Sequence, residues 1–204
     1  CVLGERRTEP NGRRTLDVRF GDGDDWTAPR VARMPARETA LLLPTSGTEG
    51  YPKLCKISQG RLVLAGHAFG GLLLAIDSKS RIYCPLSLTH ATALMAGLLP
   101  AIVHGCTLHL AQKFSASRFF DDIAVAGGTH VLYVGEMLRF VAAKSCEATS
   151  NHSKIERFVG NGLDPNTWEW LAARCPNARI VEFYGATELP ALLVNLAARR
   201  GAMG

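Results

Sequence analysis

Short apolar runs alternate with longer helical stretches along most of this chain, and that alternation constrains its fold more than any other feature. Runs at 40–43, 54–58, 81–84, 107–110, 130–134, 157–159 and 179–183 have the length and bulk of strands. A further short strand fits 191–196. Helical stretches fill 59–75, 91–103, a segment closing at Ala126, 136–143 and 164–174. Ser58 suits the N-cap of the first, Ser115 or Ser117 that of the third, and Asp164 followed by Pro165 that of the last. Such alternation predicts an α/β fold, a largely parallel sheet with helices on both faces. Residues 1–37 are polar and rich in Arg, Asp, Gly and Pro; they read as a loop-rich lead-in with one short strand at 16–20. Residues 38–204 carry the α/β unit.

At 204 residues the chain is long enough for a core, since a domain of this size hides roughly 70% of its unfolded surface. The formal charge is +5, with no run of five like charges and no basic stripe interleaved with aromatics. Nucleic-acid binding is therefore not expected. The basic balance reads as a solvated surface, compatible with a polyphosphate ligand or anionic lipid. The six cysteines include no Cys-x-x-Cys pair, so neither a zinc knuckle nor a disulfide framework is expected. Scattered cysteines in apolar surroundings fit a reducing, cytoplasmic setting. The N-terminus lacks the pattern of a signal peptide, and no apolar run reaches the ~18 residues of a membrane span. The start at Cys1 and the stop at Gly204 suggest a fragment.

In open α/β sheets, ligands bind beyond the carboxyl ends of the strands, so the loops there are the places to look. The first is Thr45-Ser46-Gly47-Thr48-Glu49-Gly50-Tyr51-Pro52-Lys53. Its glycines allow close backbone approach, its hydroxyls and N–H groups can hold an anion, and Lys53 brings positive charge. It is not a Walker A loop, because Pro52 precedes the lysine and a strand follows it. The bland reading is a Ser/Gly turn between strands. The second segment, Pro85-Leu86-Ser87-Leu88-Thr89-His90, ends on a histidine that by itself reads more readily as a polar end-cap for the next helix than as a site residue. The third, Gly160-Asn161-Gly162-Leu163, leaves backbone exposed for a flat ring, or is a plain strand–helix turn. The fourth is Glu182-Phe183-Tyr184-Gly185-Ala186-Thr187-Glu188. It offers an aromatic face, a hydroxyl and a hard carboxylate oxygen of the kind Mg²⁺ prefers.

Taken in order, these four segments resemble the motifs of the adenylate-forming enzymes: acyl-CoA synthetases, luciferases and peptide-synthetase adenylation domains. The first resembles their phosphate loop, with Glu49 standing where Thr is usual. The fourth resembles their Tyr-Gly-x-Thr-Glu signature. Segments 113–122 and 133–139, with the Gly-Asn-Gly-Leu-Asp-Pro-x-x-Trp run ending at Trp168, look like the fatty acid transport protein branch, the very-long-chain acyl-CoA synthetases. Leu189-Pro190 departs from that branch, where Gly-Asn is usual.

The resemblance implies a central piece of an AMP-binding domain that activates a long-chain fatty acid with ATP and Mg²⁺, as an acyl-adenylate that then meets coenzyme A. It implies that Thr45, Ser46, Gly47, Thr48, Glu49, Gly50 and Lys53 hold phosphates. Gly160, Asn161, Gly162, Tyr184, Gly185, Ala186 and Thr187 would hold the rest of the nucleotide. Lys53, His90, Thr187 and Glu188 would act in catalysis, with Glu188 on the metal. The ribose-binding Asp, the hinge and the catalytic lysine of the family lie beyond the signature, so a fragment inactive by itself is expected. A non-catalytic nucleotide- or acyl-binding remnant is the alternative. Peripheral membrane contact is compatible with a fatty-acid enzyme. The sequence leaves oligomeric state open.

Overall fold

The computed structural model describes residues 2–8, 14–20, 33–45, 53–144, 152–189 and 192–202. The chain divides into two units, Cys1–Met34 and Pro35–Gly204. In the first, β1 (Val2–Thr8) pairs antiparallel with β2 (Arg14–Phe20), in a register running from Val2 opposite Phe20 to Thr8 opposite Arg14. The lead-in thus holds two strands where the sequence suggested one.

The second unit begins with an antiparallel hairpin of β3 (Thr39–Thr45) and β4 (Lys53–Ser58). These strands form their own two-stranded sheet and do not join the main one, contrary to the expectation of a single sheet. Ser58 caps α1 (Gln59–His67) by accepting from the Arg61 N–H at 3.3 Å. The helix continues through wide π-type turns over Ala68–Leu74. It ends at Ala75 in the left-handed region, φ 49°. The main sheet holds β5 (Arg81–Cys84), β6 (Thr107–Leu110), β7 (His130–Val134), β8 (Arg157–Asn161), β9 (Arg179–Tyr184) and β10 (Leu193–Val194). Their order is β10-β9-β8-β7-β5-β6, and only β10 runs antiparallel to its neighbour.

Side chains alternate across this sheet, as the two-residue period of a strand requires. Ile82, Cys84, Leu132, Val159, Val181 and Phe183 face one core with α1 and its continuation. The same core takes the π-type turns Ala93–Leu98, which lead into α2 (Leu99–His104). Tyr83, Val131, Tyr133, Phe158 and Ile180 face the other core. That core is covered by α3 (Phe119–Ala126), α4 (Gly135–Lys144) and α5 (Pro165–Arg174). Both faces are buried, which explains why the strands read as nearly continuous apolar runs.

Two helix starts contrast. Asp164 accepts from the Asn166 and Thr167 N–H groups, each at 3.0 Å, and Pro165 opens α5 as expected. Neither Ser115 nor Ser117 caps α3. Their hydroxyls meet each other at 3.4 Å, and the helix begins after Arg118 without a side-chain cap. Packing sets that start: Phe119 and Phe120 are buried edge-to-face at 5.3 Å, and Phe119 also meets Tyr83 at 5.9 Å.

Candidate functional site

Strands β5, β7, β8 and β9 run parallel, so the loops after Cys84, Val134, Asn161 and Tyr184 all leave the same edge of the sheet. The β5 loop turns at Ser87–His90, where the His90 N–H donates to the Ser87 carbonyl at 2.9 Å. The chain beyond β9 turns at Ala186–Leu189, closed by the Leu189 N–H on the Ala186 carbonyl at 3.0 Å.

A cavity of about 350 Å³ opens at this edge. Its polar lining comes from His90, Thr92, Asn161 and Thr187, with Gly185, Ala186 and Arg61 beside them. The opposite wall is apolar: Leu64, Ala65, Ala68, Phe69, Leu72 and Leu73 from α1 and its continuation, with Met95 and Phe183. Leu64 and Leu72 are more than 60% exposed, so a broad apolar surface stands open on that side. Such a mix, a mostly apolar concavity with a few converging polar groups, is the usual make-up of a small-molecule site.

The hairpin is tied to this site through β4. Thr45 lies opposite Lys53, with its hydroxyl donating to the Lys53 carbonyl at 3.3 Å. Ser46, Gly47, Thr48, Glu49 and Gly50 lie outside the described residues. Cys55, two residues along β4 from Lys53, donates its thiol to the Thr187 carbonyl at 3.3 Å. Arg61 Nη2 donates to the Leu189 carbonyl at 2.7 Å. β4 and α1, the two elements after the loop, are therefore each fastened at one point to the segment after β9.

Behind the cavity, Tyr133, Gly160 and Glu182 form one row across β7, β8 and β9. The Tyr133 hydroxyl donates to Glu182 Oε1 at 3.0 Å, across the strand that carries Gly160. A Cβ on Gly160 would stand 2.7 Å from the Tyr133 ring and 2.3 Å from its carbonyl oxygen, so only glycine fits there. The same Glu182 oxygen accepts the Leu163 N–H at 2.9 Å. Burial raises the Glu182 carboxyl above its usual range, and these two hydrogen bonds oppose the rise. Burial and the neighbouring carboxylate push the Tyr133 phenol well up, so it stays a donor. Gly135 touches the same turn. A Cβ there would fall 1.8 Å from the Gly162 carbonyl oxygen.

Of the residues singled out in the sequence, His90, Asn161, Gly185, Ala186 and Thr187 come together around the cavity. Thr45, Lys53, Gly160, Gly162, Tyr184 and Glu188 do not line it. Tyr184 sits at the tip of β9, 52% exposed, and Glu188 is exposed beside Thr187. Gly162 takes φ +76°, with nothing within 4 Å of where its Cβ would stand. Arg61, Gly135 and the anchoring use of Glu182 were not singled out. Each depends on a neighbour far along the chain, which no local pattern marks.

A doubly covered, mainly parallel sheet with a cleft at its carboxyl edge is the frame of a ligand-binding α/β domain. Residues 5–202 match the model of the AMP-binding enzyme family, and the chain belongs to that family. Over 179 residues it is 34% identical to the Medium/long-chain-fatty-acid–CoA ligase FadD6 of Mycobacterium tuberculosis, covering 87% of this chain and 30% of that protein. Over 181 residues it is 33% identical to Long-chain fatty acid transport protein 1 of Bos taurus, covering 87% of this chain and 28% of that protein. The chain thus spans less than a third of the length of either relative. Among solved structures, O-succinylbenzoate coenzyme A synthetase of Bacillus subtilis, in complex with ATP and magnesium ion, superposes with a TM-score of 0.65. It is 25% identical, with 78% of this chain and 33% of that one covered. Adenylate formation is the general reaction of this family. Among the described residues, no helix is long and apolar enough to cross a membrane.

Proposed function

We propose that residues 38–204 are the central, ATP-binding part of a fatty acyl-CoA synthetase, a long-chain or very-long-chain fatty acid–CoA ligase. The observation that carries this reading is the meeting of His90, Asn161 and Gly185–Ala186–Thr187, from three separate loops, around one cavity. The 30% and greater identity to fatty acid–CoA ligase and transport proteins supports the substrate class.

In this reading the phosphates lie over the hairpin loop, held by Thr45, Ser46, Gly47, Thr48, Glu49, Gly50 and Lys53. The nucleoside lies at the tips of β8 and β9, against Gly160, Asn161, Gly162, Tyr184, Gly185 and Ala186, with Thr187 donating to the α-phosphate. The exposed face of Tyr184 suits stacking on a base. The apolar wall formed by Leu64, Phe69, Leu72 and Met95 suits an acyl chain whose carboxylate points toward the polar lining. His90, on the boundary between the two linings, positions the carboxylate for attack on the α-phosphorus. Pyrophosphate leaves, and coenzyme A takes the acyl group in a later step. Positioning and charge neutralisation supply the catalysis.

The donor set fits magnesium in one particular way. Among the described residues, no group of three or more His, Cys, Asp or Glu side chains could hold a metal ion. Mg²⁺ does not need such a cage, since it is commonly held by one or two carboxylates and the substrate phosphates. In this reading Glu188 would be the carboxylate that serves, and the ion would supply neutralisation of phosphate charge when bound.

The test is thermal melting of the chain with Mg-ATP. The expected result is a rise in Tm that Lys53→Ala abolishes. An equal rise in the variant contradicts the loop's role, and no rise in the wild type contradicts nucleotide binding.

A further inference from the structure

Arg61 is the third residue of α1, and no acidic residue stands in that first turn. A cation there opposes the positive end of the helix dipole, so the helix gains nothing from it. The backbone at this end is satisfied by the chain itself. The Gln59 N–H donates to the Glu38 carbonyl at 2.9 Å, the Gly60 N–H to the Ala36 carbonyl at 2.8 Å, and the Arg61 N–H to the Ser58 hydroxyl. The Arg61 side chain turns to the cavity and forms part of its lining. From its fork of N–H donors, Nη2 meets the Leu189 carbonyl at 2.7 Å. Among the described residues no carboxylate pairs with it. Arg61 also heads a stripe. Leu64, Ala65, Ala68 and Leu72 follow it at steps of three or four residues, the spacing of one helix face, and all of them line the same cavity.

We infer that Arg61 receives the carboxylate head of the fatty acid, with the alkyl chain laid along the stripe from Leu64 toward Leu72. This rests on the acyl reading above and deepens it by naming the group that meets the substrate's charge. A fatty acid carries one anion at the end of a long apolar chain. The first helix offers one cation at the end of a long apolar stripe, so the two patterns match in order. An arginine suits the head because its planar fork fits both carboxylate oxygens. The Leu189 carbonyl orients the guanidinium and leaves its charge whole. Nucleotide phosphates carry similar oxygens, but in this reading they lie over the hairpin loop with Lys53, whereas Arg61 shares its helix with the acyl wall. His90 and Thr187 line the same cavity, so the held carboxylate stands beside the groups assigned to the α-phosphate. Carboxylate and phosphate repel, and a guanidinium next to them lowers that repulsion.

The experiment measures the Kd of the chain for decanoate and for decan-1-ol, an uncharged amphiphile of the same length, by titration calorimetry without nucleotide. It compares wild type with Arg61→Met, Arg61→Gln and Arg61→Lys. Met removes charge and donors; Gln keeps an N–H donor without charge and serves where the Met variant does not fold; Lys keeps the charge. The wild type is expected to prefer decanoate about tenfold. Met and Gln are expected to bring that preference close to unity, and Lys to keep most of it. A folded Met or Gln variant that retains the preference overturns the inference. Equal weakening for both amphiphiles overturns it too, because Arg61 then acts only as a brace on the Leu189 carbonyl. A wild type that binds both amphiphiles equally overturns the role of Arg61 and leaves the acyl wall standing. A wild type that binds neither overturns the acyl reading, and Arg61's role with it, whereas melting with Mg-ATP reports the nucleotide reading separately. A phosphate role is read from the preference for Mg-ATP over adenosine. Loss of that preference in the variants, with the decanoate preference intact, assigns the guanidinium to phosphate and overturns the inference.

Discussion

The thiol of Cys55 donates to the backbone carbonyl of Thr187 at 3.3 Å, joining the strand that leaves the hairpin loop to the turn that follows β9. Two segments 132 residues apart in sequence are thereby held in one register at the site. Replacing Cys55 with Leu puts a branched side chain where there is a sulfur in contact with an oxygen. The expected result is a Kd for Mg-ATP raised about fivefold or more, corresponding to about 1 kcal/mol of misplacement. Cys55→Ser keeps a donor and is expected to stay within about threefold of wild type. Titration calorimetry on both variants checks this.

Gly135 and Gly71 form a matched pair for testing close packing. A methyl group on Gly135 would collide with the Gly162 carbonyl, whereas one on exposed Gly71 would meet nothing within 4 Å. Gly135→Ala is expected to destabilise the chain by about 1–3 kcal/mol and to weaken Mg-ATP binding through the displaced turn. Gly71→Ala is expected to leave both within error. Urea denaturation and the same binding assay read the two effects.

Asp164 caps α5 through both N–H groups of its first turn. The Thr167 hydroxyl and N–H, with the Asn166 N–H, hold its carboxyl below the usual range. A carboxylate with a depressed folded pKa stabilises the fold above its unfolded pKa of about 3.9 and loses that contribution as pH falls through the folded value. Asp164→Ala is expected to cost about 1 kcal/mol at pH 7. The difference between variant and wild type should shrink as pH falls below about 4. Denaturation curves from pH 7 to pH 3 give the comparison.

The cap at Asp164 is also an instance of what the sequence makes readable. Asp-Pro ahead of an apolar helical stretch states a local rule, and α5 obeys it. The strands are readable for a similar reason: a strand buried on both faces needs an apolar residue at almost every position, and 81–84, 107–110 and 130–134 show that. Ser115 and Ser117 mislead because Phe119 and Phe120 begin the helix where they can be buried against Tyr83 and Trp170, and tertiary packing overrides local capping. The β3–β4 hairpin reads as part of the main sheet because strand character says nothing about partners. At the site, His90, Asn161 and Thr187 are legible from motifs. The hydrogen bonds of Glu182 are not, since it finds its partners 49 and 19 residues away. The sequence marks Gly160 as a glycine of the nucleotide turn; that its missing side chain also makes room for the Tyr133 ring is not legible there.

His130 is buried at the start of β7, with its Nδ1 2.8 Å from the Thr129 hydroxyl. Burial lowers its pKa; the Glu156 charge opposes this and the Arg157 charge adds to it. A histidine kept neutral in the fold but free to charge when unfolded makes stability fall as pH drops below its unfolded pKa of about 6.5. His152 shifts in the same direction, through burial and the Arg174 charge. Stability is therefore expected to decline between pH 7 and pH 5. His130→Leu is expected to flatten that decline in part, leaving the share of His152. Chemical denaturation at the two pH values, for both proteins, measures the slope.

The central claim is that turns from separate strands close around one nucleotide, and backbone amide chemical shifts on adding Mg-ATP test it most directly. The account predicts that His90, Asn161 and Gly185–Ala186–Thr187 shift together along one saturation curve, while the amides of α4 remote from the Gly135 junction stay still. Shifts confined to other surfaces, or separate curves for the three loops, would contradict it.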